Sequence, residues 1–343
     1  VKEKEQNLVI YRLSAMGDVS MIVPVVLALR QQYKSIKITV VSNSFFKPFF
    51  LSIDGVNFIG IDTNSKHKGF FGIFKILQEI YTKKPTHFAD LHCSLRSKII
   101  VFFLKFLKVK SFSLNKGRAE KKALVRLENK IFKPLKHTIA RYNEVLEKLD
   151  FTINLDKPYF LTQVNVPKKY NEIYSKYSIF IGIAPFAKHE AKMYPLELMK
   201  EVIEKLAQNN SNFLFLFGGK NEHQALNSLK GINKNISVVN SSFNEELALI
   251  SNLDIMLSMD SGNAHLAAMY GVKTITIWGG THPFAGFSPY FQPLENCIIP
   301  EHNQFPSLPN SVFGNKMNDE VKMAFENIKP EVIVKMISKS LNV

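Results

Sequence analysis

Two short segments carry the residues best suited to chemistry. In the first, Ser14-Ala15-Met16-Gly17-Asp18 follows the apolar run Leu8-Val9-Ile10-Tyr11. In the second, Asp260-Ser261-Gly262-Asn263-Ala264-His265 follows Asp254-Ile255-Met256-Leu257-Ser258. Each sets a carboxylate and a glycine where a buried strand hands over to a helix. In open α/β sheets, ligands bind beyond the carboxyl ends of the strands. Asp18 has two readings there. As a helix cap it accepts backbone N–H bonds and complements the helix dipole. As a general base it takes the proton of an attacking hydroxyl, because a carboxylate near a helix N-terminus stays ionised. Asp260, Ser261 and Gly262 offer a carboxylate, a hydroxyl and successive N–H groups to a sugar and its phosphates. His265 sits one turn into the next helix at the same end, where a merely packed histidine is the plainer alternative.

Two more turns follow the same logic. Pro185-Phe186-Ala187-Lys188 comes after a strand ending at Ala184, and Lys192-Met193-Tyr194-Pro195 precedes a helix. Lys188 and Lys192, beside the free N–H groups of a helix start, suit a diphosphate; solvated surface lysines are the default. Phe217-Gly218-Gly219 closes another strand with Glu222 three residues on. Gly218 lets backbone approach a ligand closely. Glu222 suits a ribose hydroxyl pair or, more simply, the first turn of a helix. The chain has no G-x-G-x-x-G, no P-loop and no H-E-x-x-H or paired-cysteine motif, which argues against dinucleotide oxidoreductases, P-loop NTPases and catalytic metal sites.

The elements needed to hold these turns are legible as alternating strands and helices. In the first half, strands are expected at Leu8–Leu13, Ile36–Ser42, Val56–Ile61 and Thr86–Leu91. Helices are expected up to about Tyr33, with Pro24 in the first turn or at a kink, then at Phe71–Thr82, Ser94–Leu107 and Lys136–Leu149. Residues 150–175 read as a linker. The second half gives strands at Ser178–Ala184, Asn212–Phe217, Ile236–Val239, Asp254–Ser258 and Thr274–Ile277, with helices between them. A final helical pattern covers Asp319–Leu341. Repeated β-α units imply parallel, doubly wound sheets.

A chain of 343 residues suits two domains. No apolar stretch is long enough to span a bilayer, and the polar start Val1–Gln6 does not read as a signal peptide. Cys93 and Cys297 are far apart and fit a reducing cytoplasm. Residues 1–165 hold 28 Lys+Arg against 13 Asp+Glu, whereas 166–343 hold 16 of each, so the whole +15 lies in the first half. That half should meet something anionic. Lys105, Lys108, Lys110, Lys116, Arg118, Lys121, Lys122 and Arg126 interleave with Phe102, Phe103, Phe106 and Phe112. The pattern suits an anionic membrane surface or a phosphorylated lipid-linked sugar, and an ordinary core helix with a basic face is the alternative.

Taken together, these motifs resemble glycosyltransferase family 9, the ADP-heptose:lipopolysaccharide heptosyltransferases. Arg12-Leu13-Ser14-Ala15-Met16-Gly17-Asp18 is similar to that family's N-terminal signature. Lys192-Met193-Tyr194-Pro195, Phe217-Gly218-Gly219 with Glu222, and Asp260-Ser261-Gly262-Asn263-Ala264-His265 follow in the family's order over residues 8–290.

The resemblance implies an α/β protein of GT-B fold: two Rossmann-like, doubly wound parallel-sheet domains facing a cleft. The expected domains are an acceptor-binding domain at 1–165, a donor-binding domain at 166–318 and a C-terminal helix at 319–343 packing back on either of them. It implies inverting transfer of a heptose-like sugar, ADP-heptose favoured, to a lipopolysaccharide core or similar anionic glycan, with no metal or other cofactor. Asp18 is then the base. Lys192 neutralises the leaving diphosphate with help from backbone near Ala187 and Lys188, and Glu222 meets the nucleoside. Asp260, Ser261, Gly262 and His265 hold the sugar and phosphates, and Gly17 joins the donor site. Lys116, Arg118, Lys121, Lys122 and Arg126 are expected to meet the acceptor or the membrane, which makes the protein cytoplasmic and peripheral to the inner face of the membrane. Two other readings compete: a GT-B sugar-nucleotide epimerase, which needs no basic acceptor domain, and a basic nucleic-acid-binding or membrane-surface protein, for which no nucleic-acid module is recognisable.

Overall fold

The computed structural model describes residues 6–342. The N-terminal reading therefore falls, except for Gln6, outside the described residues. In chain order the first half runs β1 (Asn7–Tyr11), α1 (Met16–Ser20), α2 (Ile22–Gln32), β2 (Lys37–Asn43), β3 (Val56–Ile61), α3 (Gly69–Tyr81), β4 (His87–Asp90), α4 (Leu95–Phe106), β5 (Lys110–Ser113), α5 (Arg118–Val125) and α6 (Thr138–Glu147). The second half runs α7 (Asn171–Lys176), β6 (Ile179–Ala184), α8 (Leu196–Ala207), β7 (Asn212–Leu216), α9 (His223–Lys230), β8 (Ile236–Val238), α10 (Phe243–Ile250), β9 (Ile255–Met259), α11 (Gly262–Met269), β10 (Lys273–Ile277), β11 (Cys297–Ile298), α12 (Asp319–Asn327) and α13 (Pro330–Leu341).

The strands form two all-parallel sheets. The first has the order β3-β2-β1-β4-β5 and the second β8-β7-β6-β9-β10-β11. In both, the chain builds outward in one direction and then crosses back to continue on the other side. Each sheet therefore has one switch point, between β1 and β4 in the first and between β6 and β9 in the second. Central strands covered on both faces must be apolar throughout. Accordingly Leu8–Tyr11 and Ile255–Met259 are buried along their whole length.

Local chemistry fixes the boundaries. Ser94 caps α4 by accepting the Ser97 N–H, and Ser242 with Glu245 forms a capping box on α10. Pro24 falls in the first turn of α2, where a missing N–H costs nothing. The expected C-terminal helix is two helices. A residue before proline is driven out of the helical region, and Lys329 before Pro330 is extended.

The chain clusters into two compact units. One comprises residues up to Gly117 together with Lys136–Leu161. The other comprises Arg118–Leu135 together with residues from Thr162 onward. The basic segment 118–135, expected in the first domain, is thus built into the second unit. Its anchors explain why. Lys130 Nζ donates to the carbonyls of Pro306 (3.1 Å), Ser307 (2.5 Å) and Pro309 (3.3 Å). The Leu135 N–H meets the Phe284 carbonyl at 2.9 Å, and the Phe132 ring stacks on His302 at 3.9 Å. The transfer of this segment redistributes charge: the first unit holds 22 basic against 11 acidic residues, the second 22 against 18. Of the two domains on which the C-terminal helix could pack, α13 takes the second unit, where it lies against α8 and β9.

Candidate active site

The sequence-selected residues fall at the two switch points. In the first unit, β1 delivers Arg12 and the turn that starts α1. Arg12 is buried and its fork is used in three directions. Nε donates to the Ser14 carbonyl at 3.0 Å, Nη1 to the Leu91 carbonyl, and Nη2 lies 2.5 Å from Asp18 Oδ2. The same Asp18 oxygen accepts the Ala15 N–H at 3.3 Å, so Asp18 is also a cap of α1. Tyr142, fully buried beneath the Arg12 guanidinium, donates its hydroxyl to the Asp18 backbone carbonyl at 3.0 Å. Burial separates the partners: the Arg12 side chain is 8% exposed and that of Asp18 26%. Asp18 is a carboxylate held from behind and open in front.

Across the switch point, β4 ends in Asp90, which shapes the next turn by accepting the N–H groups of His92 (3.0 Å) and Cys93 (2.8 Å) and the Ser113 hydroxyl (3.0 Å). His92 therefore stands on the Asp18 side of the sheet edge, half-buried. Burial first, then the charges of Arg12 and Lys116, push its pKa down to about 4, so the ring is neutral at physiological pH. Sequence reading passed over His92 and used Arg12 only as part of a motif. Position just beyond the carboxyl end of a strand was the signal available for both.

In the second unit, Lys192 follows β6 and Asp260 follows β9. Lys192 Nζ is 2.7 Å from Asp260 Oδ2, and that oxygen also accepts the Thr281 hydroxyl at 2.9 Å. Here the burial is reversed, the lysine being 16% exposed and the aspartate 7%. Ser261 precedes α11 in an extended conformation without capping it, its hydroxyl 3.1 Å from that of Ser258. The first N–H groups of α11, starting with Gly262, have no partner within the helix, as at any helix N-terminus. His265 is buried one turn further on, and Lys188 is exposed beyond β6 with Ala187 half-buried beside it. Glu222 Oε2 accepts the Gly219 N–H at 2.6 Å, the simpler of its two expected roles. A Cβ on Gly218 would lie 2.8 Å from that same oxygen, so the glycine is needed for Glu222 to fold back.

A residue that no motif announced completes this half-site. Gly314 has φ +76°, and a Cβ there would fall 2.2 Å from Cγ and 2.5 Å from Cδ of Lys192. The 310–315 loop is pressed onto the lysine stem and held by the Ser311 hydroxyl, which accepts the N–H groups of Gly314 (3.0 Å) and Asn315 (3.2 Å). Its contact with residue 192 is long-range in sequence and so carries no local pattern.

The five basic residues expected to meet acceptor or membrane are divided between the two units. Lys116 is half-buried in the first unit. Arg118, Lys122 and Arg126 are exposed on and after α5 in the second. Lys121 is buried, its ammonium 4.1 Å from the Phe287 ring centroid. Among the described residues no group of three or more His, Cys, Asp or Glu is placed to hold a metal ion, and no helix is long and apolar enough to cross a membrane.

Two Rossmann-like units with polar residues gathered at each switch point are the architecture of the GT-B fold. Solved structures agree on that fold. A family 9 glycosyl transferase from Veillonella parvula superposes with a TM-score of 0.73 at 17% identity, covering 99% of this chain and 98% of that one. The E. coli heptosyltransferase WaaC with ADP gives 0.70 at 16% identity, covering 98% and 100%. The chain belongs to glycosyltransferase family 9 (heptosyltransferase), whose family model matches residues 73–311. It is also 24% identical over 311 residues to the lipopolysaccharide core heptosyltransferase OpsX of Haemophilus influenzae, covering 86% of this chain and 85% of that protein.

Proposed function

We propose that this glycosyltransferase moves a heptose from ADP-heptose to a lipopolysaccharide core or similar anionic glycan, with inversion at the anomeric carbon. The observation that carries the reading is the ion pair at each switch point, whose less buried member is a carboxylate on Arg12 in the first unit and an ammonium on Asp260 in the second. Asp18 takes the proton of the acceptor hydroxyl as its oxygen attacks the anomeric carbon. The bond to the diphosphate breaks with its electron pair on the leaving phosphate. Asp260 fixes Lys192, whose remaining N–H bonds meet that developing charge together with the amides at the start of α11. The positive charge thus comes from the chain itself, and the reading requires no metal. Glu222 would meet the nucleoside through Oε1, with Gly218 keeping it folded back. Ser261, His265 and the backbone at Gly17, Ala187 and Lys188 would line the sugar and phosphates. Lys116, Arg118, Lys122 and Arg126 would attract the anionic acceptor, and a lipid-linked acceptor would keep the enzyme at the cytoplasmic face of the inner membrane.

An epimerase would use a soluble nucleotide sugar and leave the basic first unit without a purpose. The test is calorimetric titration with ADP, UDP, GDP and CDP. The winning nucleotide's heptose conjugate is then turned over against a heptose-free lipopolysaccharide core, with the anomeric product configuration read by NMR. Preferential ADP binding and an inverted product are expected. A preference for another nucleotide, or retention, would overturn the reading.

A further inference from the structure

The first unit carries an exposed aromatic ridge that its core does not explain. On α3 the inward positions are Gly72, Ile73, Ile76 and Ile80, which already bury that helix. Phe70, Phe71 and Phe74 point the other way. On α4, Ser97, Ile100, Val101 and Leu104 face inward, while Phe102 and Phe106 face out. Phe70, Phe71, Phe102 and Phe106 are between 60 and 82% exposed. The rings touch in a chain from Phe71 through Phe70, Phe74 and Phe103 to Phe102, with centroid separations of 5.2 to 6.3 Å, so this is one continuous surface spanning two helices. Apolar surface gathered in this way marks an interaction site.

Its charge identifies the partner. Lys75, Lys98, Lys105 and Lys108 are exposed among these rings. From Leu91 to Gly117 there is no Asp or Glu, and the one carboxylate of α3, Glu79, is taken up by Lys66 and His67. A second copy docking here by two-fold symmetry would set lysines against lysines with no carboxylate to relieve them. A bilayer with anionic headgroups satisfies both features at once: phenyl rings enter the acyl boundary while lysines stay at the phosphates.

We propose that the α3–α4 phenylalanine ridge, and not the basic segment of α5, seats this protein on an anionic phospholipid surface. The ridge gains its use from the lipid-linked acceptor of the proposed function, but it can be tested without donor or acceptor.

The experiment is co-sedimentation with vesicles of phosphatidylglycerol and phosphatidylethanolamine, and with phosphatidylcholine vesicles as the uncharged control. The wild type should sediment with the anionic vesicles only. Phe71→Ser/Phe106→Ser should lose at least about ten-fold in vesicle affinity, and Lys98→Gln/Lys105→Gln should lose binding most at low salt. Lys122→Gln/Arg126→Gln should bind as the wild type does. Because both phenylalanines are exposed, unchanged circular dichroism and thermal melting are expected for the serine variant. Turnover of a delipidated, soluble acceptor by that variant should match the wild type, so a failed ridge and a failed transferase reading give different results. Undiminished vesicle binding by the serine variant would overturn the proposal. So would a wild type that ignores vesicles but forms a dimer in ultracentrifugation that the serine variant abolishes.

Discussion

The two switch points carry the same device in opposite senses. In the first unit a buried arginine holds a more exposed aspartate. In the second a buried aspartate holds a more exposed lysine. In each pair the buried member is committed to several partners: Arg12 to two carbonyls besides Asp18, and Asp260 Oδ2 to Thr281 besides Lys192. The buried partner fixes geometry and the outer partner is left to act. One fold built twice thus leaves a partly open carboxylate at one sheet edge and a partly open ammonium at the other. This division is what a transfer reaction asks of its acceptor and donor sides.

The sharpest way to break the comparison is to neutralise each outer partner. Asp18→Asn keeps an oxygen for Arg12 and for the α1 cap but cannot take a proton. Its kcat should fall about 10³-fold while ADP affinity stays within about two-fold. Lys192→Ala should weaken ADP binding about 10- to 100-fold and lower kcat as well, because the same ammonium meets the charge developing on the leaving phosphate. Calorimetry and steady-state kinetics on the same preparations separate the two. An Asp18→Asn enzyme with ordinary kcat would make Asp18 a cap and nothing more.

A smaller effect tests how the second pair is aimed. Gly314→Ala combines a left-handed backbone with a methyl group driven against the Lys192 stem, and about 2 kcal/mol of stability should be lost with several-fold weaker ADP binding. Gly231→Ala is the control, since Gly231 also has positive φ but a Cβ there would meet nothing within 4 Å. It should lose only the backbone part, about 1 kcal/mol, and leave ADP binding unchanged. Equal ADP affinities in the two variants would show that Gly314 does not aim the lysine.

Much of this was legible in the sequence, for identifiable reasons. Strands buried on both faces are apolar runs, so β1, β6 and β9 stand out, and the motif turns follow from where those strands end. Asp18, Lys192 and Asp260 were found by that rule. β5 and α5 were missed because Lys110-Ser111-Phe112-Ser113 and Arg118–Val125 are short and polar, and the anchors of the 118–135 segment lie more than a hundred residues away. The charge asymmetry between halves was real in sequence, but the fold moves segment 118–135, with six basic and two acidic residues, to the other unit. Gly314 and Thr281 act through long-range contacts that leave no periodic trace. Phe70, Phe71 and Phe74 look like core in a linear reading. Only the structure shows that Ile73, Ile76 and Ile80 already fill that role.

The mildest test uses protons, because each unit holds a histidine whose protonation folding strongly suppresses. His92 in the first unit and His282 in the second are each pushed from 6.5 to about 4. Burial is the main cause in both, followed by Arg12 and Lys116 for the first and by His302 and Lys130 for the second. Between pH 6.5 and 4 the unfolded chain binds protons that the folded chain refuses, so stability falls as the pH is lowered through this window and is fully present above it. Each histidine should contribute about 1 kcal/mol per pH unit there. His92→Gln should flatten the acid dependence of the first unit's unfolding, and His282→Gln that of the second, while both leave stability at pH 8 less affected than at pH 5. Scanning calorimetry between pH 8 and 4.5 reads this directly. Equal slopes in the wild type and His92→Gln would mean that the imidazole beside Asp18 charges freely in the folded state. The first half-site would then be wetter and more cationic than its burial implies, and Asp18 would share its outer face with a second positive charge.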